Sequence, residues 1–485
     1  MPSSPLLFII NLDRYQSMKL KAALIRNSLA SGWGKISTVL FRLIQIPVLL
    51  SLLGVEDYGR WLVVYSFPSW IALANLGFGS VASNEMSMAA AAGDLSRAKS
   101  VYATTLALVS GLFVAGLVLV GFIAPFLPSE SLLKLPAERH TEITLVIIWF
   151  TISTLLTFYG EVYEARFRSA RQAHMPVILY SFRPWLELLG MFIVLQFSHR
   201  FDYLALAVLC TTLLYTVAMK WLSYRAIREI TFSRQLIKKE LFRPLFKKGL
   251  SFQAFPLGNA LIFQGNIIVV QLILGPVAVA IFGSVRTLVR SINQMFELIN
   301  QVMWPEMSLL FGVHDYPRIA RLHRIGVAVS IGTAFFCVLF LALFGQPLYA
   351  FWTHNNITLE WTLLLLFLLP IPFNALWFTS SVIHMASNRY ERLAVRYLVA
   401  MGLAIIACSI MSAVFGIKGA AVSTIVSDLV LIPFVLKESL RLTHDTWPAF
   451  KAGMLHEAAQ LPAYLRRFSP AAMLSKKTKE EEQLR

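Results

Sequence analysis

Residues 54–97 read GVEDYGRWLVVYSFPSWIALANLGFGSVASNEMSMAAAAGDLSR, and residues 275–318 read GPVAVAIFGSVRTLVRSINQMFELINQVMWPEMSLLFGVHDYPR. The two stretches lie over one another without a gap at an offset of 221. Glu85-Met86-Ser87 then meets Glu306-Met307-Ser308, Asp94 meets Asp315, Arg97 meets Arg318 and, further on, Gly111 meets Gly332. Scattered apolar matches arise by chance in an apolar chain, but a run of matched polar residues does not. A repeat at a fixed offset marks a chain built from two similar structural units.

On either side of the repeat, apolar runs long enough to cross a bilayer fall near 27–53, 58–82, 101–127, 141–160, 176–197, 203–222, 249–274, 277–303, 323–350, 361–384, 393–415 and 417–437. At ~20 apolar residues per span these make about twelve membrane helices. Hydrophobic residues fill 57% of the 485 positions and charged residues only 14%, where a soluble domain carries roughly 25% charged residues. Backbone groups in lipid must be satisfied within the segment, so the expected fold is an all-α membrane protein. Six spans separate equivalent points of the repeat, which predicts two six-helix lobes related by a pseudo-two-fold along the membrane normal. The boundaries that follow are a cytoplasmic N-terminal segment 1–23, an N-lobe 24–222, a basic linker 223–248, a C-lobe 249–438 and a cytoplasmic tail 439–485. Within the tail, Trp447, Phe450, Leu455, Leu461, Tyr464 and Leu465 alternate with polar residues, as in an interfacial amphipathic helix. Lys476 to Arg485 is charged enough to be disordered.

The net charge is +17, and its placement decides its meaning. With both termini cytoplasmic, the inward loops hold Arg97 and Lys99; Arg166, Arg168 and Arg171; Arg318, Arg321 and Arg324; and Arg389, Arg392 and Arg396. The middle inward loop is richest, from Arg225 to Lys247 and Lys248, whereas the outward loops hold Lys134, Arg139, Arg200 and Lys418. That asymmetry is the positive-inside pattern. The basic middle loop suits an anionic inner leaflet, so no nucleic-acid partner is expected. Pro5 to Ile10, followed at once by Asp13 and Arg14, is too short for a secretory signal core, and Met18-Lys19-Leu20-Lys21 reads as a more natural start than Met1. Cys210, Cys337 and Cys408 lie in apolar stretches without paired spacing, so neither disulfides nor a thiolate metal site are expected. His456-Glu457-Ala458-Ala459-Gln460 lacks the second histidine of a helical zinc motif, and no phosphate-cradling Gly-Lys-Ser/Thr run occurs. The chain is therefore read as a transporter rather than an enzyme, with no catalytic residues.

Charges inside the spans need a reason, because one at the bilayer centre costs ~2.5–3.5 kcal/mol on insertion scales. Lys35 and Arg42 stand two turns apart on one face of the first span, Arg286 and Arg290 one turn apart in the eighth, and Arg60 opens the second. Snorkelling or pairing explains some of them: Asp57 is close to Arg60 in sequence, and Glu297 is seven beyond Arg290. The other reading is a cationic cavity between the halves that binds phosphate oxygens. Gln45, Asn259, Gln264, Asn266, Gln271, Asn293, Gln294, Asn300 and Gln301 could bond sugar hydroxyls or other helices. Glu187 and Asp428 are acids in apolar surroundings that could carry a coupling proton or sodium ion, unless a partner such as Arg183 holds Glu187 for structural reasons.

Arg26-Asn27-Ser28, Gly32, Pro47, Leu53-Gly54, Tyr58-Gly59-Arg60-Trp61, Leu76-Gly77-Phe78-Gly79 and Gly93-Asp94 form a pattern that resembles the polysaccharide-transporter branch of the multidrug/oligosaccharidyl-lipid/polysaccharide exporters, the Wzx-like O-antigen and oligosaccharide flippases. The resemblance spans residues 24–440. It implies movement of polyprenyl-pyrophosphate-linked sugars, such as an O-antigen or exopolysaccharide repeat unit, across a bacterial inner membrane by alternating access. It also implies that cavity cations hold the pyrophosphate, a role that would fall to Lys35, Arg42, Arg60, Arg286 and Arg290. Implied partners are the lipid-linked oligosaccharide, membrane lipids, and a polysaccharide polymerase with glycosyltransferases. No cofactor is implied beyond a proton or sodium gradient, for which Asp57, Glu187, Glu297 and Asp428 are the candidate acids. Drug-exporting relatives rely more on membrane-embedded acids, and the first span here has none. A small-molecule antiporter of the same fold is the alternative.

Overall fold

The computed structural model describes residues 5–75, 77–126, 139–170, 172–243, 253–387, 389 and 391–467, some of them, 5–25 included, by backbone alone. Leu76, Lys134, Arg171, Lys247, Lys248 and Lys476–Arg485 lie outside the described residues. Among the described residues the regular elements are all helical. The first half holds α1 (Pro5–Val64), α2 (Phe67–Ala72), α3 (Phe78–Ala91), α4 (Leu95–Ile123), α5 (His140–Ser169), α6 (His174–Leu195) and α7 (Phe201–Ala226). Next come α8 (Ala254–Ala260), a π-helical turn at Leu261–Gly265, α9 (Asn266–Leu274), α10 (Pro276–Arg290), α11 (Asn293–Gly312) and α12 (Tyr316–Trp352). The remainder is α13 (Trp361–Leu368), α14 (Ile371–Ser380), α15 (Val382–Ala386), α16 (Glu391–Ser423), α17 (Ile425–Leu442) and α18 (Trp447–Arg467).

Nine helical stretches among the described residues are long and apolar enough to cross a membrane. Leu29–Asn75 covers two expected spans in one run, broken at Gly54 (φ 75°, ψ 171°), and Glu391–Ser423 is broken likewise at Gly416 (φ 60°, ψ −144°). Only glycine adopts such angles without steric strain, so the chain turns between spans there. The run 277–303 divides at Ser291 and Ile292 into α10 and α11. With these turning points the helices accommodate about twelve crossings, and the fold is all-α and membrane-spanning. On α16, Val395, Val399, Leu403, Ile406, Ile410 and Val414 form an exposed apolar stripe at helical spacing, as a lipid-facing helix requires.

The 221-residue repeat is also present in the backbone. Gly54 pairs with Gly275 (φ 75° and 92°), and Gly93 with His314 (φ 77° and 58°). Asp94 Oδ1 accepts from the Arg97 backbone N–H at 2.9 Å, and Asp315 Oδ1 from that of Arg318 at 3.2 Å. Each aspartate thus caps the helix that follows, α4 or α12.

The chain divides into two compact units, Met1–Gly283 with Trp352–Ile357, and Ser284–Phe351 with Thr358–Arg485. Residues 253–283 therefore group with the first unit rather than with 284–438. Close packing explains this. A Cβ on Gly59 would strike the Pro276 carbonyl, Leu62 packs against Gly283, and Gln264 Nε2 donates to Ser69 Oγ at 3.2 Å. Trp352 is held to this unit by a proline: Pro47 has no N–H to offer the Leu43 carbonyl one turn back, and the Trp352 indole donates to it instead.

The first unit's core centres on α5, with Leu155, Phe158, Val162 and Phe167 against Met86, Tyr102 and Met219. Arg166, counted above among loop cations, is fully buried, because α5 continues past it to Ser169. Its guanidinium lies 3.7 Å from the Tyr224 ring centroid and 5.3 Å from that of Tyr102, and its Nη2 donates to the Ile227 carbonyl at 2.6 Å. Aromatic faces thus stabilise a cation that meets no carboxylate among the described residues. The start of the basic linker packs here too, with Ile230 fully buried and the Lys238 N–H donating to Thr104 Oγ1 at 3.1 Å.

In the second unit, Val327, Leu436, Leu440 and Phe450 form one core cluster and Met303, Met307, Ile319, Val382 and Ile383 another. The tail helix α18 is docked onto protein: Phe450 is 1% exposed, Glu457 accepts from Arg321 at 2.9 Å, and Asp445 just before the helix accepts from Arg324 at 2.9 and 2.6 Å. Trp447 and Leu455 remain exposed.

Candidate functional site

Each unit brings a set of the expected residues into a defined setting. On α1, Gly34, Ser37 and Phe41 make the face that packs on α6. Gly34 lies against Val177 and Ser181, Ser37 Oγ donates to the Ser181 carbonyl at 2.9 Å, the Trp185 indole donates to Ser37 Oγ at 2.8 Å, and Phe41 meets the Trp185 ring at 6.0 Å. Lys35 and Arg42 follow Gly34 and Phe41 by one residue each, so they project about 100° round the helix from that packed face. Both are half-buried. Arg60, further along α1, bonds Glu56 and, through Nη1, Asp57 Oδ1 at 2.7 Å. The pairing alternative for Arg60 is thus the observed arrangement, and Asp57 is its partner.

Deeper in the first unit lies a polar network. Glu187, 4% exposed, accepts from Arg183 Nε at 2.7 Å and from the Tyr65 hydroxyl at 3.4 Å. Arg183 Nη2 donates to Thr212 Oγ1 at 3.2 Å, and Thr212 and Ser153 share a hydroxyl bond of 2.8 Å. Arg183 also lines a cavity of about 500 Å³ with Tyr180, Tyr215, Ser83, Asn84, Glu161 and the ion pair of Glu164 with Arg168. Glu161 accepts from Asn75 Nδ2 at 2.7 Å. No sequence pattern marks Glu161, which sits in a helix as one acid among several polar residues.

In the second unit, α10 buries Val285, Leu288 and Val289, and Arg286 and Arg290 stand on the adjoining face, half-buried. Asp428 at the start of α17 is 4% exposed, and its Oδ1 accepts from the Trp377 indole at 2.6 Å and from Asn374 Nδ2 at 3.1 Å. Trp377 packs on Tyr397 with ring centroids 6.2 Å apart. Asp428 is thus held by neutral donors, whereas Glu187 is held by a cation. Glu297 is half-buried on α11. Of the polar amides, Asn300 Nδ2 donates to the Phe378 carbonyl at 3.1 Å and Gln264 to Ser69, so these two tie helices together. No group of three or more metal-ligating residues occurs among the described residues.

Half-buried cations and buried acids on membrane-crossing helices mark functional positions. The family model for polysaccharide biosynthesis proteins matches residues 24–311. This chain belongs to that family. No curated protein matches it. Solved structures share the fold of this family member at low identity. An inward closed conformation of the lipid II flippase MurJ has a TM-score of 0.68 at 14% identity, over 92% of this chain and 93% of that one. An inward-facing multidrug resistance MATE family transporter of the MOP superfamily has 0.67 at 15%, over 84% and 96%. A Pyrococcus furiosus MOP superfamily transporter, described as having a binding pocket of reversed polarity, has 0.61 at 13%, over 87% and 96%. The family and these neighbours are those of membrane transporters and flippases.

Proposed function

We propose that this polysaccharide biosynthesis family member is a flippase for a polyprenyl-pyrophosphate-linked oligosaccharide, an O-antigen or exopolysaccharide repeat unit. It works by alternating access in a bacterial inner membrane, with both termini cytoplasmic. The observation that carries the reading is the pair of cation rows, Lys35 with Arg42 and Arg286 with Arg290, each half-buried on the helix face adjoining the packed one. Arginine offers paired donors to phosphate oxygens and lysine a compact charge. Arg60, with Glu56 and Asp57 on its guanidinium, contributes by exchanging those acids for the substrate. Asp428 carries the coupling proton, since neutral donors leave its charge state free to change. Glu187 and Glu297 are secondary candidates for coupling.

The lipid II flippase among the structural neighbours supports a lipid-linked cargo. The MATE neighbours favour the second reading, a small-molecule antiporter. The deciding experiment replaces Arg42 and Arg290 together by Gln and measures glycan export in cells making normal amounts of the protein. Export should be lost. Unchanged export would overturn the cationic-site reading and leave the antiporter.

A further inference from the structure

The second unit contains a cavity of about 1100 Å³ that none of the transport residues line. It lies where α11 and α17 end and α12 and α16 begin, that is, at the ends of membrane-crossing helices, the depth of lipid headgroups. Arg389, Arg392 and Arg441 reach it from the 387–391 connection, α16 and α17, and His314 and His444 flank Tyr316 with ring centroids 6.2 and 4.2 Å away. Glu391 and Glu438 are the acids of the wall. Three arginines against two glutamates leave the wall positive even with both histidines neutral. Among the described residues, Arg392 approaches Glu438 only at 3.8 Å, and Arg389 and Arg441 pair with no carboxylate.

The repeat supplies an internal control. Within the gapless repeat, His314 falls on Gly93. Gly93 and His314 share a left-handed backbone, which glycine adopts freely and histidine only at a cost. His444 is left-handed as well, at φ 55°. The cavity wall thus carries two imidazoles on strained backbone beside Arg389 and Arg441. Strain kept at a cavity wall points to a role for the side chains that bear it.

We infer that this cavity binds a phosphate-bearing anion, with Arg389 and Arg441 as its main donors and His314 and His444 as further ones. The shared chemistry is an anionic phosphoryl group with exposed oxygens, carried either by an anionic bilayer lipid or by a free or substrate-borne phosphate or pyrophosphate. The inference does not depend on what the protein transports.

The test uses the purified full chain in phosphatidylcholine nanodiscs, titrated with inorganic pyrophosphate by calorimetry, and in parallel native mass spectrometry after phosphatidylglycerol is added. R389Q/R441Q should weaken the binding by about tenfold or more, as loss of two charge-assisted donors implies. H314G/H444G, which relieves the backbone, should fold at least as well and bind less tightly. R42Q/R290Q should leave this binding intact while export is lost. Pyrophosphate binding that depends on Arg389 and Arg441 without retained phosphatidylglycerol assigns a free or substrate-borne phosphate. Phosphatidylglycerol retained by the wild type and lost by R389Q/R441Q assigns a bilayer lipid. No binding of either probe overturns the inference, as does binding that R389Q/R441Q leaves unchanged, the result expected if these arginines only orient the chain in the membrane.

Discussion

Gly93 and His314, 221 residues apart, hold the same left-handed backbone at the end of a helix, φ 77° and 58°. An L side chain in that conformation costs roughly 1–2 kcal/mol, part of which the extra freedom of an unfolded glycine offsets. His314→Gly should therefore stabilise the protein by about 1 kcal/mol, and Gly93→His should destabilise it by a similar amount. Thermal unfolding of the detergent-solubilised chain reads both. A lower midpoint for His314→Gly would mean that its ring contact with Tyr316 outweighs the strain.

Glu187 and Arg183 form a buried pair, so removing one partner should be worse than removing both. Glu187→Gln alone leaves a buried guanidinium with a weakened acceptor, for which a loss of about 3–5 kcal/mol is expected. The double variant Arg183→Met/Glu187→Met should recover part of it. Equal losses for single and double variants would show that the pair contributes little beyond packing.

Asp428→Asn keeps an oxygen that can accept from Trp377 and Asn374, so the fold should hold. If Asp428 carries the coupling proton, transport driven by an imposed pH gradient in proteoliposomes should fall to background while substrate binding persists. Gradient-driven transport at the wild-type rate would remove Asp428 from the mechanism.

Gly32 and Gly59 lie on either side of the break at Gly54, in opposite settings. A Cβ at 59 meets the Pro276 carbonyl, and one at 32 meets nothing within 4 Å. Gly59→Ala should lower both the thermal midpoint and transport, because backbone must move to admit it, whereas Gly32→Ala should lower neither. Comparable behaviour of the two would contradict the close approach at Gly59.

Much of the architecture is legible in the sequence for a physical reason. Lipid forces backbone bonds to close within helices, so apolar runs report spans directly. The repeat is legible because its polar members do local work: Asp94 and Asp315 each cap the helix that follows by accepting from the backbone N–H three residues on, a bond determined by spacing alone. The merged runs through Gly54 and Gly416 are harder, since nothing local separates a glycine that turns the chain from one, such as Gly32, that continues a helix.

The candidate site divides along the same line. That Lys35 and Arg42 share a face, and Arg286 and Arg290 another, follows from helical periodicity. The company these charges keep does not. Arg166 sits in sequence among loop cations, yet it is buried, because Tyr102 and Tyr224 arrive over its guanidinium from other helices. Glu187 has Arg183 one turn away, a contact the sequence could suggest, but Tyr65 joins it from α1. Asp428 finds Trp377 and Asn374 on α14 rather than a cation. By itself the sequence determined that this is a helical, twofold-repeated membrane protein with charges in its spans, because hydropathy, periodicity and capping act over a few residues. Only the tertiary structure decided which groups Arg166, Glu187 and Asp428 meet, because a partner's position depends on how distant helices pack.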